Sequence, residues 1–449
     1  MNKRIEMKRL IRLSAPVALS QLALVGMGVT DVLVAGRAGT DQLAGMMLGN
    51  SVWNLVAFFF FGIGLAAQPL VGHAFGADDL PRVRRVFQNA LYAAIATGLV
   101  CMLAIWIAAQ VIPRLGYDLV LAQVGQRYLS IMALGGLAIC VLPVLRSTLE
   151  AMNQTAPVTR VMVLGFLVNI PLDVILVFGW GPLPAMGAAG CAVASVAILW
   201  LNLSMLFLLA RGKHNRHIGL LPFSARPEPR LQWDYFKLGL PIGATITAEL
   251  SFFVVAAMLI AYFGPAAASA HSVAISTASI AFMFYMGLGQ GIAIRASQLV
   301  GAGKMREAAF TIRCGVELTL AVAVSASVLL LTLRHQIPGI YTPDTAVTSL
   351  AAILLAWAAL FQLVDAMQCV GMHGLRAYRD TVTPIFFQTI SFWLMAFPVG
   401  YWLATSERSL ISGPQGYWAG MTLGLTIAAA LIGLQLRRKM RKSQLLAGV

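Results

Sequence analysis

Polar side chains inside otherwise apolar stretches are the first candidates for chemistry in this sequence. Asn169 and Asp173 lie four residues apart in the run FLVNIPLDVILVFGW (166–180), with Pro171 between them. Residues at i and i+4 share one face of a helix, so the amide and the carboxylate should point in the same direction. Because proline has no N–H, the carbonyl of Leu167 should lack its helical partner and be free as an oxygen ligand.

Carboxylates also occur in other apolar stretches, where a charged group is costly and is a functional candidate by default. They are Asp31, Glu249 and Asp365. Counting the rise of an α-helix along each stretch places Asp31, Asp173 and Ser195 roughly 9–12 Å from the same side of the apolar layer. Hard cations prefer several oxygen ligands. We therefore predict a site for Na⁺ or H⁺ formed by Asp31, Asn169, Asp173 and Ser195.

A simpler interpretation applies to some of these residues. A buried Asn or Ser can also be a hydrogen-bonding anchor between two helices, with no part in transport. This alternative is strongest for Asn169 and Ser195. Glu317 lies four residues after Arg313 near the end of an apolar stretch, and we expect these two to form a local ion pair.

The composition indicates which elements must position these groups. Of the 449 residues 59% are hydrophobic and 11% charged, with a mean hydropathy of +0.81, which is typical of a membrane protein. Long continuous apolar runs exclude a barrel. We predict an all-α integral membrane protein with twelve transmembrane helices, at 11–36, 48–74, 87–112, 128–149, 158–180, 187–210, 238–262, 270–294, 310–333, 348–373, 382–404 and 415–436.

The positive charge of the chain is distributed asymmetrically along it. The net charge is +15. Of the 32 Lys and Arg, 27 fall in or next to the two ends and alternate connections, and the other five are Arg37, Arg114, Arg127, Arg334 and Arg408. This bias predicts that both termini are cytoplasmic, in a membrane of the bacterial cytoplasmic (inner) type. The charge is thus explained by topology and anionic lipid headgroups, and we expect no nucleic-acid partner. The basic start leads directly into the first span, so no cleavable signal peptide is expected.

Two halves of the sequence resemble each other. The segment FGADDLPRVRRVFQNAL (75–91) matches VGAGKMREAAFTIRCGV (300–316), and LEAMNQT (149–155) matches LRAYRDT (375–381) at almost the same offset. With six spans in each repeat, the repeats should run in parallel. We predict a six-helix lobe over 1–210, a cytoplasmic linker over 211–237 and a second six-helix lobe over 238–449.

The assembled segments resemble the MATE (multidrug and toxic compound extrusion) family, most closely its NorM-type branch. The resemblance covers nearly the whole chain and rests on 15–39, 145–155, 168–173, 187–195, 238–249 and 361–381. It implies two six-helix lobes forming a V, no enzyme activity, and no cofactor other than a coupling ion. It further implies export of amphipathic organic cations and related drugs in exchange for Na⁺ or H⁺, and we expect a monomer.

Carried over by position, the resemblance assigns site residues in both lobes. It assigns Asp31, Asn169, Asp173 and Ser195 to the cation site of the first lobe, and Glu249 and Asp365 to the acids of the second. Two positions depart from the family pattern: Ser195 stands where threonine is common but keeps the hydroxyl, and Ala377 stands where glycine is usual, which changes no chemistry. Asp173 gives the chain acids in both lobes, where some NorM-type relatives have Asn, so the coupling ion and the lobe that binds it stay open.

Two further expectations concern the substrate. Phe252, Phe284, Tyr285 and Gln362 are candidates for lining a drug cavity, although each can also be a packing residue. The alternative function is a flippase for lipid-linked precursors, which shares the two-lobe plan. That function should require several Arg or Lys within the spans to bind pyrophosphate, and the spans hold few. An intramembrane enzyme is disfavoured, because HExxH and GxSxG motifs are absent from the sequence.

Overall fold

A computed structural model describes residues 2–221, 226–406 and 411–446 of the chain. The α-helices within these ranges are α1 (Lys3–Ala38), α2 (Thr40–Gly64), α3 (Ala67–Gly76), α4 (Leu80–Val111), α5 (Leu119–Met132), α6 (Gly136–Ala151), α7 (Thr155–Phe178), α8 (Ala188–Arg211), α9 (Pro229–Ala261), α10 (Pro265–Gly301), α11 (Met305–Leu333), α12 (Ile337–Tyr341), α13 (Thr345–Ala377), α14 (Val382–Thr389), α15 (Phe397–Thr405) and α16 (Pro414–Leu446). Short 3₁₀ turns cover Ile112–Arg114, Ala133–Gly135 and Lys213–Asn215, and a π-helical segment covers Ile390–Ala396.

Twelve helical segments of the described chain are long and apolar enough to cross a membrane. Four of them combine consecutive elements, such as α2 with α3 (Thr40–Gly76) and α14 with α15 (Val382–Thr405). The all-α class and the twelve predicted spans are confirmed. Most helices extend past the predicted apolar runs, because composition marks only the apolar part of a helix, whereas the hydrogen-bonded backbone continues to its polar ends.

The chain forms two compact units, Leu19–Ala244 and the combination of Met1–Ala18 with Thr245–Val449. Their bounds differ from the lobes predicted at 1–210 and 238–449, because the first parts of α1 and of α9 each pack in the unit that does not contain the rest of the helix. The core of Leu19–Ala244 includes Trp53, Tyr128 and Cys140.

The other unit has a core that includes Leu10 and Trp418, both fully buried. Two polar residues, Lys3 and Glu6, also attach the start of α1 in this unit. Glu6 accepts hydrogen bonds from Thr311 (2.7 Å) and Arg295 (3.3 Å). Lys3 forms an ion pair of 2.6 Å with Glu317. The partner of Glu317 is therefore on another helix, and the expectation of a local pair with Arg313 was wrong.

Left-handed backbone positions repeat along the chain at the offset that the sequence segments predict. Residues with positive φ form four such pairs: Gly39 with Gly264, Asp78 with Gly303, Asn153 with Arg379, and Gly187 with Gly413. Each pair marks the same connection in both halves. Because L side chains rarely adopt positive φ, agreement at four places reflects a duplicated scaffold and not a chance match of apolar sequence.

Helix caps repeat as well and account for two of the acids. Asp118 caps α5 by accepting from the backbone N–H groups of Val120 (2.9 Å) and Leu121 (3.3 Å). Asp344, at the equivalent position of the second repeat, caps α13 in the same way. A side-chain oxygen at this position satisfies N–H groups that have no partner inside the helix.

The linker was predicted over 211–237, but α9 already begins at Pro229. The non-helical part of this connection is therefore shorter than the predicted linker. Its described residues are held by side chains of the same unit. Asn215 and Gln154 bond to each other through both amides (2.5 and 3.3 Å). The backbone N–H of Glu228 donates to Asn89 (2.6 Å). Residues 222–225 of the predicted linker lie outside the described ranges.

Candidate functional site

The structure brings together the four predicted residues of the first site, all within Leu19–Ala244. Asp31 lies on α1, Asn169 and Asp173 on α7, and Ser195 on α8. The Ser195 hydroxyl donates to Oδ2 of Asp31 at 2.9 Å. Asn169 and Asp173 lie beside Asp31. Residues from three helices that are distant in the chain thus form one polar cluster.

Most polar atoms of this cluster are buried without a partner. Asn169 and Asp173 are fully buried and Asp31 is 9% exposed. Oδ1 of Asp31, both oxygens of Asp173 and both polar atoms of the Asn169 amide make no well-formed hydrogen bond to the described residues, although the three side chains lie close enough to interact with one another. Leaving such groups unpaired is costly, and most costly for charged ones. A cation in contact with these oxygens would offset that cost.

Glycines allow the three helices to approach closely enough to form the cluster. A β-carbon at Gly190 of α8 would lie 2.7 Å from the backbone of Leu176 on α7. At Gly26 of α1 it would lie 2.8 Å from the ring of Phe166 on α7. Both distances are shorter than real contacts allow. A larger residue at Gly190 would push α8 away from α7, because it meets backbone, whereas at Gly26 the ring of Phe166 would have to move.

Pro171 lies inside α7, which continues from Thr155 to Phe178. Its ring nitrogen cannot donate to the carbonyl of Leu167, so that carbonyl lacks its ordinary helical partner. The participation of this oxygen in the cluster stays a prediction.

One residue of the first site was missed by the sequence analysis. Tyr128 on α5 is 2% exposed and lies close enough to Asp31 and Asp173 to interact with both electrostatically. The available signal was a tyrosine within an apolar stretch, since a buried hydroxyl usually requires a polar partner. The thiol of Cys191 on α8 also contacts the backbone oxygen of Asp31, at 3.7 Å.

A second polar cluster lies in the other unit, around Glu249 of α9. Its Oε1 accepts from the Gln368 amide at 3.5 Å, and its Oε2 accepts from the Gln388 amide at 3.3 Å. Asp365 on α13 is 4% exposed and lies near enough to interact with Glu249. The predicted pair of acids is therefore brought together. Both glutamines were missed, although an amide in an apolar span is itself a signal of a buried polar contact.

The four candidates for a drug cavity occupy different surroundings. Phe252 is 3% exposed and stacks on Phe392, with ring centroids 5.0 Å apart. Tyr285 is buried beside Asp365, and its hydroxyl has no partner among the described residues. Gln362 donates to the backbone of Ala278 at 2.9 Å. Phe284 is 43% exposed. A common cavity formed by these four stays a prediction.

Both clusters consist of oxygen and amide groups. In the part of the chain that the structure describes, no three His, Cys, Asp or Glu side chains are grouped so that they could hold a metal ion. Each cluster instead combines two carboxylates with neutral side chains: Asn169, Ser195 and Tyr128 in the first, and Gln368 and Gln388 in the second. Sets of this kind suit a hard monovalent cation or a transferable proton.

The chain is similar to known proteins over most of its length. The MatE family model matches residues 16–175 and 241–402. The chain is 33% identical over 444 residues to the multidrug resistance protein PmpM of Pseudomonas aeruginosa, covering 98% of this chain and 93% of that protein. It is 32% identical over 446 residues to the probable multidrug resistance protein NorM of Mannheimia succiniciproducens, covering 98% and 95%.

The fold matches a solved structure over its whole length. The crystal structure of the eukaryotic MATE transporter AtDTX14 superposes with a TM-score of 0.87, covering 99% of both chains at 19% identity. At that identity the match concerns the fold alone.

Proposed function

Since this chain belongs to the MatE (MATE) family of membrane transporters, we propose that it is a multidrug efflux antiporter that exchanges inward-moving Na⁺ or H⁺ for an outgoing drug. The family is one of transporters and not of enzymes. The names of the relatives, which describe multidrug resistance, support the efflux part of the proposal. Their bacterial sources and the twelve spans support a place in the cytoplasmic (inner) membrane.

The observation that carries the proposal is the cluster around Asp31. Asp31 and Asp173 are buried together with the amide of Asn169, and most of their polar atoms make no well-formed hydrogen bond. A purely structural anchor would be expected to pair these atoms, because an unpaired buried polar group lowers stability. A site that alternately binds and releases a cation must instead leave ligand atoms available in one of its states.

The mechanism follows from a difference in affinity between states. A cation that enters at Asp31 and its neighbours, or at Glu249 and Asp365, neutralises carboxylates that would otherwise attract a cationic drug. The cation and the drug then favour different conformations, and each shifts the equilibrium by its differential affinity for the two. Alternation between these conformations exchanges one for the other across the membrane.

The substrates follow from the same chemistry. Carboxylates in an apolar environment attract amphipathic organic cations, and aromatic side chains such as Phe252, Phe284 and Tyr285, with Gln362, would contribute apolar surface and one polar contact.

The asymmetry of Lys and Arg supports cytoplasmic termini. We propose that the transporter functions as a monomer.

The test is efflux of a fluorescent organic cation from proteoliposomes. A Na⁺ gradient at constant pH and a pH gradient without Na⁺ are imposed separately on wild-type protein and on Asp31→Asn. We expect at least one gradient to drive efflux by the wild type and neither to drive it in the variant. Asp41→Asn, the same substitution at an exposed acid at the start of α2, is the matched control and should transport normally.

Two results would contradict the proposal. Failure of both gradients to move the dye through wild-type protein would remove the multidrug assignment, and a lipid-linked substrate would then be tested in a flippase assay. Wild-type efflux by Asp31→Asn would leave the transport assignment but remove the first cluster from the coupling mechanism.

A further inference from the structure

Gln388 has a buried carbonyl oxygen that no contact explains. The side chain is fully buried near the end of α14. Its amide N–H donates to Oε2 of Glu249 at 3.3 Å, but its Oε1 has no partner among the described residues. An acceptor left unpaired at full burial costs free energy comparable to a lost hydrogen bond. Because it lies beside the Glu249 carboxylate, this oxygen is a candidate ligand for a cation.

The surroundings of Gln388 hold it in place against α9. Glu249 and Phe252 are one turn apart on α9, and they contact Gln388 and Phe392, which are also about one turn apart. The second contact is the aromatic stack with ring centroids 5.0 Å apart and planes at 14°. The chain changes from α-helix to π-helix between these two contacts, at Ile390–Ala396. Short π-helical segments are frequent at functional sites, because they alter the register of the side chains that follow.

A second glutamine completes the support of Glu249. Gln368 on α13 is 1% exposed, and its amide donates to Oε1 of the same carboxylate at 3.5 Å. Glu249 thus receives one N–H donor on each oxygen, from two different helices. The two donors fix the plane of the carboxylate, while each oxygen keeps a further lone pair for another ligand.

From this geometry we infer that Gln388 is a ligand of the transported cation, which it binds through Oε1 together with the carboxylates of Glu249 and Asp365. Gln368 is a positioning residue, which orients Glu249 and does not touch the ion. The inference rests on the proposed cation-coupled transport and extends it. The carbonyl oxygen of an amide is a ligand for a metal cation such as Na⁺, so the glutamine adapts the second cluster to Na⁺.

The test measures binding of ²²Na⁺ alone to detergent-purified protein, in competition with unlabelled NaCl and with choline replacing Na⁺. All variants carry Asp31→Asn, so that the first cluster does not contribute. We expect saturable binding in this background and its loss on adding Glu249→Gln. Adding Gln388→Leu should weaken Na⁺ binding roughly tenfold, the factor expected for one lost ligand. Gln388→Asn, which keeps the amide, should recover part of the affinity.

Gln68→Leu provides the matched control. Gln68 is a 1% exposed glutamine on α3 with both polar atoms unpartnered, so the substitution removes an equally buried amide elsewhere, and Na⁺ affinity should be unchanged. Gln368→Leu should weaken binding less than Gln388→Leu. If Gln388→Leu gives no monodisperse peak in size-exclusion chromatography, the Na⁺ affinity of Gln388→Asn decides the test. An affinity below that of the Asp31→Asn background supports the inference, and an equal affinity contradicts it.

Two results would overturn the inference. One is an equal Na⁺ affinity in the Gln388→Leu and Gln68→Leu variants. The other is the absence of saturable Na⁺ binding in the Asp31→Asn background. Because the assay contains no drug and no gradient, either result is compatible with dye efflux in proteoliposomes, and so the failure of this inference is distinguishable from the failure of the proposed function.

Discussion

In Leu19–Ala244, the Asp173 carboxylate is fully buried beside Asp31 and Asn169, and neither of its oxygens accepts a well-formed hydrogen bond from the described residues. In the unit that contains Thr245–Val449, the Glu249 carboxylate receives an amide N–H on each oxygen. The two sites belong to halves that repeat the same turns and helix caps at a nearly constant offset along the chain. Duplication therefore preserved the scaffold, whereas the buried polar groups diverged.

The difference shows what each site requires. A carboxylate with two fixed donors is already oriented before an ion arrives, so little reorganisation is needed on binding. A carboxylate without donors gains more from a cation, but it is costly while empty. The first cluster should therefore respond most strongly to the presence of the ion, and the second should hold its geometry in either state.

The largest expected effect is the loss of transport when single acids are neutralised. Asp31→Asn, Glu249→Gln and Asp365→Asn should each abolish dye efflux while the protein stays folded in the membrane, because in the proposed mechanism each removes a charge for which the cation and the drug compete. The measurement is the efflux rate in proteoliposomes at matched protein content. If only Asp31→Asn lost activity, the second cluster would have no part in coupling. Wild-type efflux in all three would falsify the mechanism.

The next effect concerns a contact that exists in one half only. Glu6 is 1% exposed and binds Arg295 and Thr311, whereas the equivalent position of the second repeat is Leu231. Glu6→Ala should lower the free energy of unfolding by about 3 kcal/mol, because it leaves Arg295 partly buried without its counter-charge. Thermal unfolding in detergent measures this loss.

The control for Glu6 is the neighbouring pair between Lys3 and Glu317, whose side chains are 56% and 51% exposed. Lys3→Ala should leave the unfolding temperature unchanged, because exposed ion pairs contribute little to stability. Equal losses in the two variants would show that the start of α1 is held by its apolar contacts, such as that of Leu10, and not by Glu6.

The third effect is a change in the free energy of unfolding, which should have opposite signs for substitutions in the two sites. Asp173→Asn should raise the free energy of unfolding without Na⁺ by about 1–3 kcal/mol, because it replaces an unpartnered buried carboxylate with a neutral group of the same shape. Glu249→Gln should lower it by about 1–3 kcal/mol, because one of the two amide donors then faces another N–H donor. Unfolding curves of both variants in Na⁺-free detergent test the contrast. Changes of the same sign would mean that the two sites do not differ in the way their contacts indicate.

Sequence reasoning located the spans and the acids for physical reasons that can be named. Long apolar runs have few alternatives in a membrane, so twelve spans followed directly. The fixed rise of a helix placed Asp31, Asp173 and Ser195 at one depth, and the i,i+4 spacing put Asn169 on the same face as Asp173. These four residues are indeed in one cluster.

What the sequence did not predict depends on tertiary contacts. Gln388 is far from Glu249 in the chain and carries no charge that would distinguish it within an apolar span. Tyr128 was missed for the same reason. Glu317 had a plausible local partner, but its ion pair is with Lys3, because the start of α1 packs in the same unit as α11. The first parts of α1 and of α9 each pack in the unit that does not contain the rest of the helix. A repeated pattern of apolar residues does not indicate such an arrangement.

The smallest effect expected concerns pH and a position where the repeats differ in charge. Asp380 lies between α13 and α14, and the equivalent residue of the first repeat is Gln154. Burial raises the pKa of Asp380, but hydrogen bonds from Thr383, Gln435 and Lys439 outweigh this and hold the pKa below its usual value. A carboxylate with a lowered pKa stabilises the folded state above its unfolded pKa, which is about 3.9, and this contribution is lost as the pH falls through the folded pKa.

Asp380→Asn should therefore be less stable than wild type at neutral pH, and the difference should shrink as the pH is lowered below about 4. Unfolding temperatures in detergent between neutral and acidic pH measure it. Gln154→Ala is the control in the other half: it loses the bond to Asn215 (2.5 Å), but its deficit should not depend on pH, because neither partner ionises. A loss of stability in Asp380→Asn that stayed constant with pH would mean that the contacts of Asp380 stabilise this connection without its charge. The charge difference between the repeats would then have no energetic consequence.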